Sequence, residues 1–433
     1  MGEKRFHSVQ LDKDKCKGCT NCLKHCPTEA IRVRGGRAHI IDERCVDCGE
    51  CIRICEYHAK VAMTDKFEDI FRFEHRIALP APSLYGQFRH VGSIGIVLEA
   101  LTRIGFTSVF EVARGADVIT RAVKEKLKNP DRPRPLISSA CPAVTRIIQV
   151  RFPTLIPHII DLKQPMEVAA SIARAEYAKT HGVAPEKIGV FFITPCAAKM
   201  TAIRSPLGHE KSEVDGAISM MEIYGHLLPH VAEIKASEMT TSATPFGIGW
   251  ARSGGEADAA VPKNSMVVDG MDNVIRVLEE VEDGKLRDLD YFEGAACPGG
   301  CVGGPLTYEN KYLARNTVMS LMDGLPPRHP QEAVPGSVLN KYPLYFDKPI
   351  VPNGSMKLHE SIANAIERME QMNAILDRLP GYDCGSCGSP TCRAFAEDIV
   401  RGYCSETDCI FILKERLKGM AQQMVDISHT RRE

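Results

Sequence analysis

Cysteine is the residue type with the most chemistry to offer in this 433-residue chain, which contains 17 of them. Two runs near the start share one spacing, Cys16-x2-Cys19-x2-Cys22-x3-Cys26 and Cys45-x2-Cys48-x2-Cys51-x3-Cys55. Thiolates at this spacing are the ligands of 4Fe-4S clusters. Zinc also binds Cys-x2-Cys pairs, but two consecutive runs of four favour iron and sulfide. The pattern predicts two clusters that carry electrons one at a time.

The paired runs resemble those of two-cluster ferredoxins, in which the fourth cysteine of each run binds the other cluster. Glu56 stands where a proline often follows the last cysteine, which changes no ligand. Residues 1–77 are therefore expected to form a ferredoxin-like domain with two 4Fe-4S clusters. The resemblance implies one cluster held by Cys16, Cys19, Cys22 and Cys55 and a second held by Cys45, Cys48, Cys51 and Cys26.

Five more cysteines lie between residues 384 and 409. Two alternatives stay open for them: Cys404 is itself a ligand, or the group binds zinc. An amphipathic helix at 355–379, capped by Ser355, leads into these cysteines, so residues 351–433 are expected to form a helix and a C-terminal 4Fe-4S domain. The segment resembles the small 4Fe-4S domain of corrinoid iron–sulfur proteins, with four ligands at Cys384, Cys387, Cys392 and Cys409.

Four widely spaced cysteines lie in three peptides of the middle region, "SSACPAV" (138–144), "TPCAAKM" (194–200) and "EGAACPGGCVGGP" (293–305). In this order after a ferredoxin-type module, the peptides resemble the three signatures of the iron-iron hydrogenase large subunit. Cys301 would also bridge to a two-iron centre with carbon monoxide, cyanide and dithiolate ligands, and Lys199 would donate a charge-assisted hydrogen bond to a cyanide. These two residues are the expected catalytic ones. The resemblance implies a 4Fe-4S cluster held by Cys141, Cys196, Cys297 and Cys301.

Several positions depart from the pattern of the catalytic members of that family. Ala140 replaces a cysteine that passes protons in those members, and a methyl group can neither donate nor accept a proton. Ala122 and Val123 stand where those members have two glutamates. Thr194 and Ala295 replace two methionines, which changes the packing and polarity around the metal. Loss of a positioned proton relay lowers a reaction rate by about 10²- to 10⁴-fold.

Slow turnover suits a sensor, whose output depends on which state is populated rather than on flux. The departures and the C-terminal cysteines resemble the sensory branch of the family, here without a PAS-type domain. We therefore expect a protein that slowly and reversibly interconverts hydrogen with protons and electrons and reports hydrogen or redox state. One alternative is a catalytic ferredoxin-linked hydrogenase whose protons travel through Cys404, a histidine or an acidic side chain. The other is a non-catalytic iron–sulfur electron-transfer or assembly scaffold.

The elements that position these residues are predicted from their apolar patterns. Strands are expected at 107–112, 135–138 and 188–194, and helices at 93–101 and 166–182. Strands that alternate with helices favour parallel sheets flanked by helices, so residues 78–350 are expected to form an α/β hydrogenase-type core. Trp250, Ser253 and Glu256 belong to a segment that resembles a family loop beside the active-site cavity, and we expect structural roles for them.

The composition excludes several classes of function. A net charge of −1, with 54 basic and 55 acidic residues, gives no electrostatic footprint for nucleic acid or an anionic membrane. No apolar run approaches the roughly 18 residues of a membrane span, and the first residues lack the apolar stretch of a secretory signal. We therefore expect a cytoplasmic protein with hydrogen as its small-molecule partner. Because only residues 410–433 follow Cys409, a signal would pass to a separate redox or signalling protein, and homo-oligomerisation stays open.

Overall fold

The computed structural model describes the backbone of residues 5–430 and the side chains of residues 5–427. The outer limits of the predicted first and last domains, residues 1 and 433, lie outside the described residues. Two compact units emerge, each built from three segments. The core unit comprises Met1–Val9, Val46–Gly49 and Ala62–Asn353, and the cysteine-rich unit comprises Gln10–Cys45, Glu50–Val61 and Gly354–Glu433.

Strands and helices alternate through much of the chain. The strands are β1 (Val9–Leu11), β2 (Ile31–Arg34), β3 (Arg37–Ile40), β4 (Lys60–Ala62), β5 (His75–Pro80), β6 (Ser108–Val109), β7 (Leu136–Ile137), β8 (Ile188–Thr194), β9 (Gly216–Ser219), β10 (Ser265–Asp269) and β11 (Tyr291–Ala295). The helices are α1 (Asn21–Lys24), α2 (Glu50–Arg53), α3 (Ile94–Arg103), α4 (Val112–Leu127), α5 (Pro142–Arg151), α6 (Pro165–His181), α7 (Ala197–Arg204), α8 (Met220–Glu233), α9 (Pro245–Gly249), α10 (Gly255–Ala260), α11 (Met271–Glu282), α12 (Lys311–Asp323), α13 (Pro330–Ala333), α14 (Ile362–Arg378), α15 (Cys392–Val400) and α16 (Ile410–Thr430).

A four-stranded parallel sheet with strand order β6-β5-β8-β9 forms one half of the core unit. All seven residues of β8 are buried, as expected for a parallel strand covered on both faces. Ile77 pairs with Val190 and Ile193 with Ile218, so apolar side chains continue across the sheet. The predicted α/β core with parallel sheets and flanking helices is confirmed.

A second parallel sheet, with strand order β10-β11-β7, has its own apolar core in the same unit. Ile147 of α5, Leu278 of α11 and Phe292 of β11 are buried together there. The strand predicted at 107–112 is shorter than expected: pairing with β5 ends at Val109, and α4 begins at Val112 with Glu111 as its N-cap residue.

The cysteine-rich unit combines the antiparallel β2–β3 pair with α1, α2 and the last three helices. Helix α14 packs on α15, and Met372 and Phe395 are buried between them. The predicted start of α14 was wrong. The helix begins at Ile362 after Ser361, whereas Ser355 lies in a separate 3-10 turn, because the Ser361 backbone N–H is bonded to His359 Nδ1 at 3.0 Å and breaks the helical path.

The division into three domains at 1–77, 78–350 and 351–433 stays a prediction. In the structure, the ferredoxin-type segments share one compact unit with the C-terminal segment. Among residues 5–430, no helix combines the length and apolar character needed to cross a bilayer.

Candidate functional site

Each of the three cysteine peptides of the core unit follows the carboxyl end of a parallel strand. Cys141 follows β7, Cys196 follows β8 and Cys297 follows β11. Ligands of α/β proteins bind beyond the carboxyl ends of parallel strands, because the loops that leave the strands converge there. The fold therefore gives three peptides, far apart in sequence, a common place to meet.

The three peptides line one cavity, which we call the core cavity. All four predicted cysteines and Lys199 lie on its wall, as do Ala140 and Ala295. Trp250 and Glu256 also line it, whereas Ser253 is not among its lining residues. The lining residues that bear on the chemistry of the cavity are Cys141, Cys196, Cys297, Cys301, Lys199, Ala140, Glu256 and Glu293.

Two of the cysteines sit at helix N-termini. Cys141 is the N-cap residue of α5 and Cys196 that of α7. Burial raises the pKa of Cys196 to about 12 and raises that of Cys301, while the Lys199 charge opposes both shifts. Metal binding removes thiol protons, and helix N-termini favour the negative charge that results. A buried four-sulfur wall of this kind fits an iron–sulfur cluster.

Thr194 fixes the backbone that carries Cys196. Its Oγ1 accepts a hydrogen bond from the Cys196 N–H at 3.1 Å and donates to the Cys196 carbonyl at 2.9 Å. The sequence suggested only a lost methionine at this position. The hydroxyl instead closes a tight local turn, which the residue pattern did not indicate.

Lys199 lies in the first turn of α7, three residues after Cys196. Its Nζ donates to the Ala140 carbonyl at 3.2 Å, so the ammonium is held beside the position where the family pattern has a thiol. An ammonium carries further donors that are available to an anionic ligand in the cavity.

Gly300 permits the chain to pass close to its neighbour between Cys297 and Cys301. Its φ is +87°, and a Cβ at this position would lie 2.4 Å from the Ser253 backbone nitrogen. The glycine is therefore required by the close approach of backbone from another loop, in addition to the clearance that a cluster would need.

A buried hydrogen-bond network that the sequence did not reveal reaches the core cavity. Ser138 Oγ and Tyr291 Oη each donate to the carboxyl group of Glu256 at 2.5 Å. Ser138 also accepts from the Ala140 backbone N–H at 3.2 Å. Burial raises the pKa of Glu256, although both hydrogen bonds and the Lys199 charge oppose that shift. Two hydrogen bonds, both made by Ser138 Oγ, therefore connect the Ala140 N–H to a carboxyl group that keeps its proton closer to neutral pH.

Glu293 is a second buried carboxyl group in the lining of the core cavity. Glu293 accepts hydrogen bonds from the backbone N–H groups of Gly254 and Ala257, both at 2.8 Å, at the start of α10. Burial raises its pKa, and the neighbouring charge of Glu256 raises it further. Both effects keep the Glu293 carboxyl group protonated closer to neutral pH.

The glutamate pair of catalytic family members has no counterpart at the predicted positions. Ala122 and Val123 are fully buried in α4 and carry no titratable group. The neighbouring Trp250 donates from Nε1 to Thr120 Oγ1 at 3.1 Å, which fixes the indole against the same helix. The carboxyl groups that line this cavity, Glu256 and Glu293, lie instead on α10 and β11.

In the cysteine-rich unit, one cavity is lined by the first predicted cluster set; we call it the first ferredoxin pocket. Backbone N–H groups of Ala38 and Ala59 approach Cys16 Sγ and Cys55 Sγ at 3.4 and 3.3 Å. Lys60 lines the pocket too; it is 2% exposed, and its Nζ has no hydrogen-bond partner among the described residues. A buried ammonium without a partner fits a negatively charged cluster as its counter-ion. The four sulfurs are those of Cys16, Cys19, Cys22 and Cys55.

The second ferredoxin-type set stays a prediction for Cys45, Cys48, Cys51 and Cys26. Of these, Cys26 Sγ accepts a hydrogen bond from the Ala30 backbone N–H at 3.3 Å. In the other run, Cys55 Sγ accepts one from the Ala59 backbone N–H in the same way.

The C-terminal cysteines line a third cavity, the C-terminal pocket. A hydrogen bond from Ser386 lowers the pKa of Cys384, which favours its thiolate form. Cys404 is not among the lining residues; its Sγ approaches the Phe395 carbonyl at 4.0 Å, and burial raises its pKa to about 11. The lining set contains Cys384, Cys387, Cys392 and Cys409.

Comparisons with known families agree with this architecture. Residues 74–305 match the family described as "Iron only hydrogenase large subunit, C-terminal domain". This match spans more than half of the chain, so the chain belongs to the iron-only hydrogenase large-subunit family. Residues 8–56 match a 4Fe-4S dicluster domain, and residues 379–411 match an Fe-S cluster family.

The similar proteins include hydrogenases and an Fe-S cluster assembly factor. The chain is 26% identical to the periplasmic [Fe] hydrogenase large subunit of Nitratidesulfovibrio vulgaris, in an alignment that covers 69% of this chain and 86% of that protein. It is 23% identical to the NADP-reducing hydrogenase subunit HndD of Solidesulfovibrio fructosivorans, over 81% of this chain and 74% of that one. A cytosolic Fe-S cluster assembly factor, nar1 of Aspergillus terreus, is 31% identical over 19% of this chain and 14% of its own.

A solved structure supports the fold. A variant of apo [FeFe]-hydrogenase HydA1 from Chlamydomonas reinhardtii superposes with a TM-score of 0.51 at 17% identity, covering 67% of this chain and 94% of that one.

Proposed function

We propose that this chain reversibly interconverts hydrogen with two protons and two electrons, at low turnover, and reports hydrogen or redox state to a separate protein. The observation that carries the proposal is the core cavity, where four cysteines meet Lys199 and the buried Glu256. Membership of the hydrogenase family and the hydrogenases among its relatives support the reaction class.

The four cysteines of the core cavity would hold a 4Fe-4S cluster, and Cys301 would bridge it to a two-iron centre with carbon monoxide, cyanide and dithiolate ligands. When bound, this group supplies the metal at which hydrogen is split or formed. Lys199 would hold an anionic ligand of that group, because its ammonium lines the cavity and is fixed by the Ala140 carbonyl.

Glu256 would be the residue that holds the proton. Its raised pKa keeps the carboxyl group protonated closer to neutral pH, and Ser138 lies between it and the Ala140 backbone. A proton would therefore pass through a carboxyl and a hydroxyl group instead of a thiol at position 140. The hydroxyl is far less acidic than a thiol, so we expect turnover well below that of a site with the thiol.

The ferredoxin-type cysteines would hold one-electron carriers, which suits exchange with a protein partner. We place the chain in the cytoplasm, where cysteines stay reduced and available to metals. Neither the partner nor a homo-oligomer is needed for the chemistry in the cavity.

Infrared spectroscopy of the chain after maturation with the two-iron centre tests this proposal. We expect bands of metal-bound carbon monoxide and cyanide, together with slow hydrogen evolution from a low-potential donor. Absence of the bands would instead support a non-catalytic iron–sulfur electron-transfer or assembly scaffold; one relative is named a cytosolic Fe-S cluster assembly factor. Rapid evolution would support a conventional catalytic hydrogenase and defeat the sensor assignment.

A further inference from the structure

The C-terminal cysteine loop is fixed to strand β2 by a buried charge cluster within the cysteine-rich unit. Arg32 Nε donates to Asp398 Oδ2 at 2.6 Å, and Arg34 donates to the same oxygen at 3.1 Å. Ser389 Oγ also donates to Asp398, at 2.6 Å. Separating a buried ion pair leaves an uncompensated charge, so this cluster favours one docking geometry over others.

The loop that carries the C-terminal cysteines makes its own contacts with β2. The Val33 backbone N–H donates to the Gly388 carbonyl at 2.9 Å, and Arg34 donates to the Cys387 carbonyl at 2.5 Å. Gly388 has a φ of +79°, and a Cβ there would lie 1.8 Å from the Val33 carbonyl oxygen. Only glycine permits this approach.

Val33 connects the two cysteine cavities. It lines the first ferredoxin pocket, and its backbone is bonded to Gly388, whose neighbour Cys387 lines the C-terminal pocket. On a second side of the loop, Gly385 approaches Leu23, which follows the pocket cysteine Cys22. Helix α15 takes part in the docking through Asp398, and the cysteine loop brings Cys387 and Gly388 against β2 in the same contact.

We propose that the C-terminal pocket and the first ferredoxin pocket exchange single electrons directly across the Val33–Gly388 contact. In each exchange one electron leaves the reduced cluster in one pocket and enters the oxidised cluster in the other, and no proton moves and no bond forms or breaks. The C-terminal segment is then one end of the electron path of this chain. The proposal requires clusters in these two pockets and does not depend on the hydrogen chemistry of the core cavity.

Electron paramagnetic resonance of the full-length chain, reconstituted with iron and sulfide and chemically reduced, tests the proposal. The signal of the C-terminal cluster is identified by its loss in Cys392→Ala. We expect this signal to relax rapidly in the wild type, because a second paramagnetic cluster lies beside it. In Gly388→Ala the half-saturation power should fall severalfold with iron content unchanged.

Gly402→Ala is the matched control. Gly402 has the same φ of +79° and lies in the same segment, but a Cβ there meets nothing within 4 Å. The control should therefore relax as the wild type does. Slow relaxation in the wild type, or wild-type relaxation in a fully loaded Gly388→Ala protein, would overturn the proposal.

A second variant covers the case in which Gly388→Ala loses its C-terminal iron. Arg34→Gln keeps every cysteine but removes a positive charge beside Cys387, which destabilises the reduced cluster there. In a sample that holds one electron per chain, the spin should move from the C-terminal signal toward that of the first ferredoxin pocket. After rapid partial reduction, the rate at which this distribution is reached should not change with protein concentration. Arg37→Gln, an exposed arginine on β3, should leave the distribution unchanged. An unchanged distribution in Arg34→Gln, or a rate that rises with protein concentration, would contradict direct exchange.

Discussion

The core cavity and the first ferredoxin pocket both gather four cysteines, but they surround the sulfurs with different groups. In the core cavity the cysteines come from three peptides, and two buried carboxyl groups and a lysine share the space. In the first ferredoxin pocket backbone amides contact two of the sulfurs, and the buried ammonium of Lys60 lines the pocket. Under the proposed function, the first site would move protons with electrons and the second would move electrons alone.

The largest expected effect comes from removing a sulfur from the core cavity. Cys301→Ser should abolish the infrared bands of carbon monoxide and cyanide, because the bridging ligand of the two-iron centre would be lost. Cys404→Ser makes the same change outside the lining of the C-terminal pocket and should leave the bands and the iron content unchanged. Intact bands in Cys301→Ser would remove the core cavity from its proposed role.

Removing the proton-holding group should be the next largest effect. Glu256→Gln is expected to slow hydrogen evolution by about 10²-fold or more while the infrared bands persist, because the amide keeps the shape but cannot release a proton. Hydrogen evolution from a reduced donor measures the effect. Glu279→Gln, the same change on the surface of α11, is the control and should behave as the wild type.

The pH dependence should follow from the raised pKa of Glu256. The carboxyl group donates only when protonated, so its donation is complete below the raised pKa and declines as pH rises through it. The rate of hydrogen evolution in the wild type should fall in that window. In Glu256→Gln the falling limb should disappear from the pH profile, and an unchanged profile would assign the proton to another group.

Restoring the absent thiol should have a smaller effect in the opposite direction. Ala140→Cys places a thiol beside the Lys199 ammonium and next to the backbone that Ser138 contacts. We expect hydrogen evolution to rise by about tenfold, less than a full relay is worth, because the Glu256 path already supplies part of the transfer. Ala140→Ser adds a group of similar size but low acidity and should give no comparable rise.

Local patterns were enough to predict much of the architecture. The apolar run at 188–194 is a strand of seven buried residues, and the helical spacing at 166–182 matches α6 within one residue. These elements are long and regular, so their pattern is hard to misread. The start of α14 was harder, since Ser355 and Ser361 are both credible caps and the pattern does not show the contact of the Ser361 N–H with His359.

The acidic network of the core cavity could not be predicted in the same way. Ser138 and Glu256 are 118 residues apart, and no sequence motif predicts that they are in contact. Tyr291 is 35 residues from Glu256 and looks like an ordinary strand aromatic. The family peptides identify positions that hold metal, whereas a proton path depends on which buried polar groups the fold brings into contact.

The smallest expected effect comes from removing the buried positive charge of Lys60 in the first ferredoxin pocket. Lys60→Met keeps the length of the side chain but removes its positive charge, so the reduced cluster in the first ferredoxin pocket loses a favourable interaction. The midpoint potential of that cluster should become more negative by about 50–100 mV, as expected for one charge at partial screening. A redox titration followed by paramagnetic resonance measures the shift. Lys13→Met, at an exposed position of the same segment, should leave the potential unchanged. An equal shift in both variants would mean that the general charge of the module, and not the buried ammonium of Lys60, sets the potential.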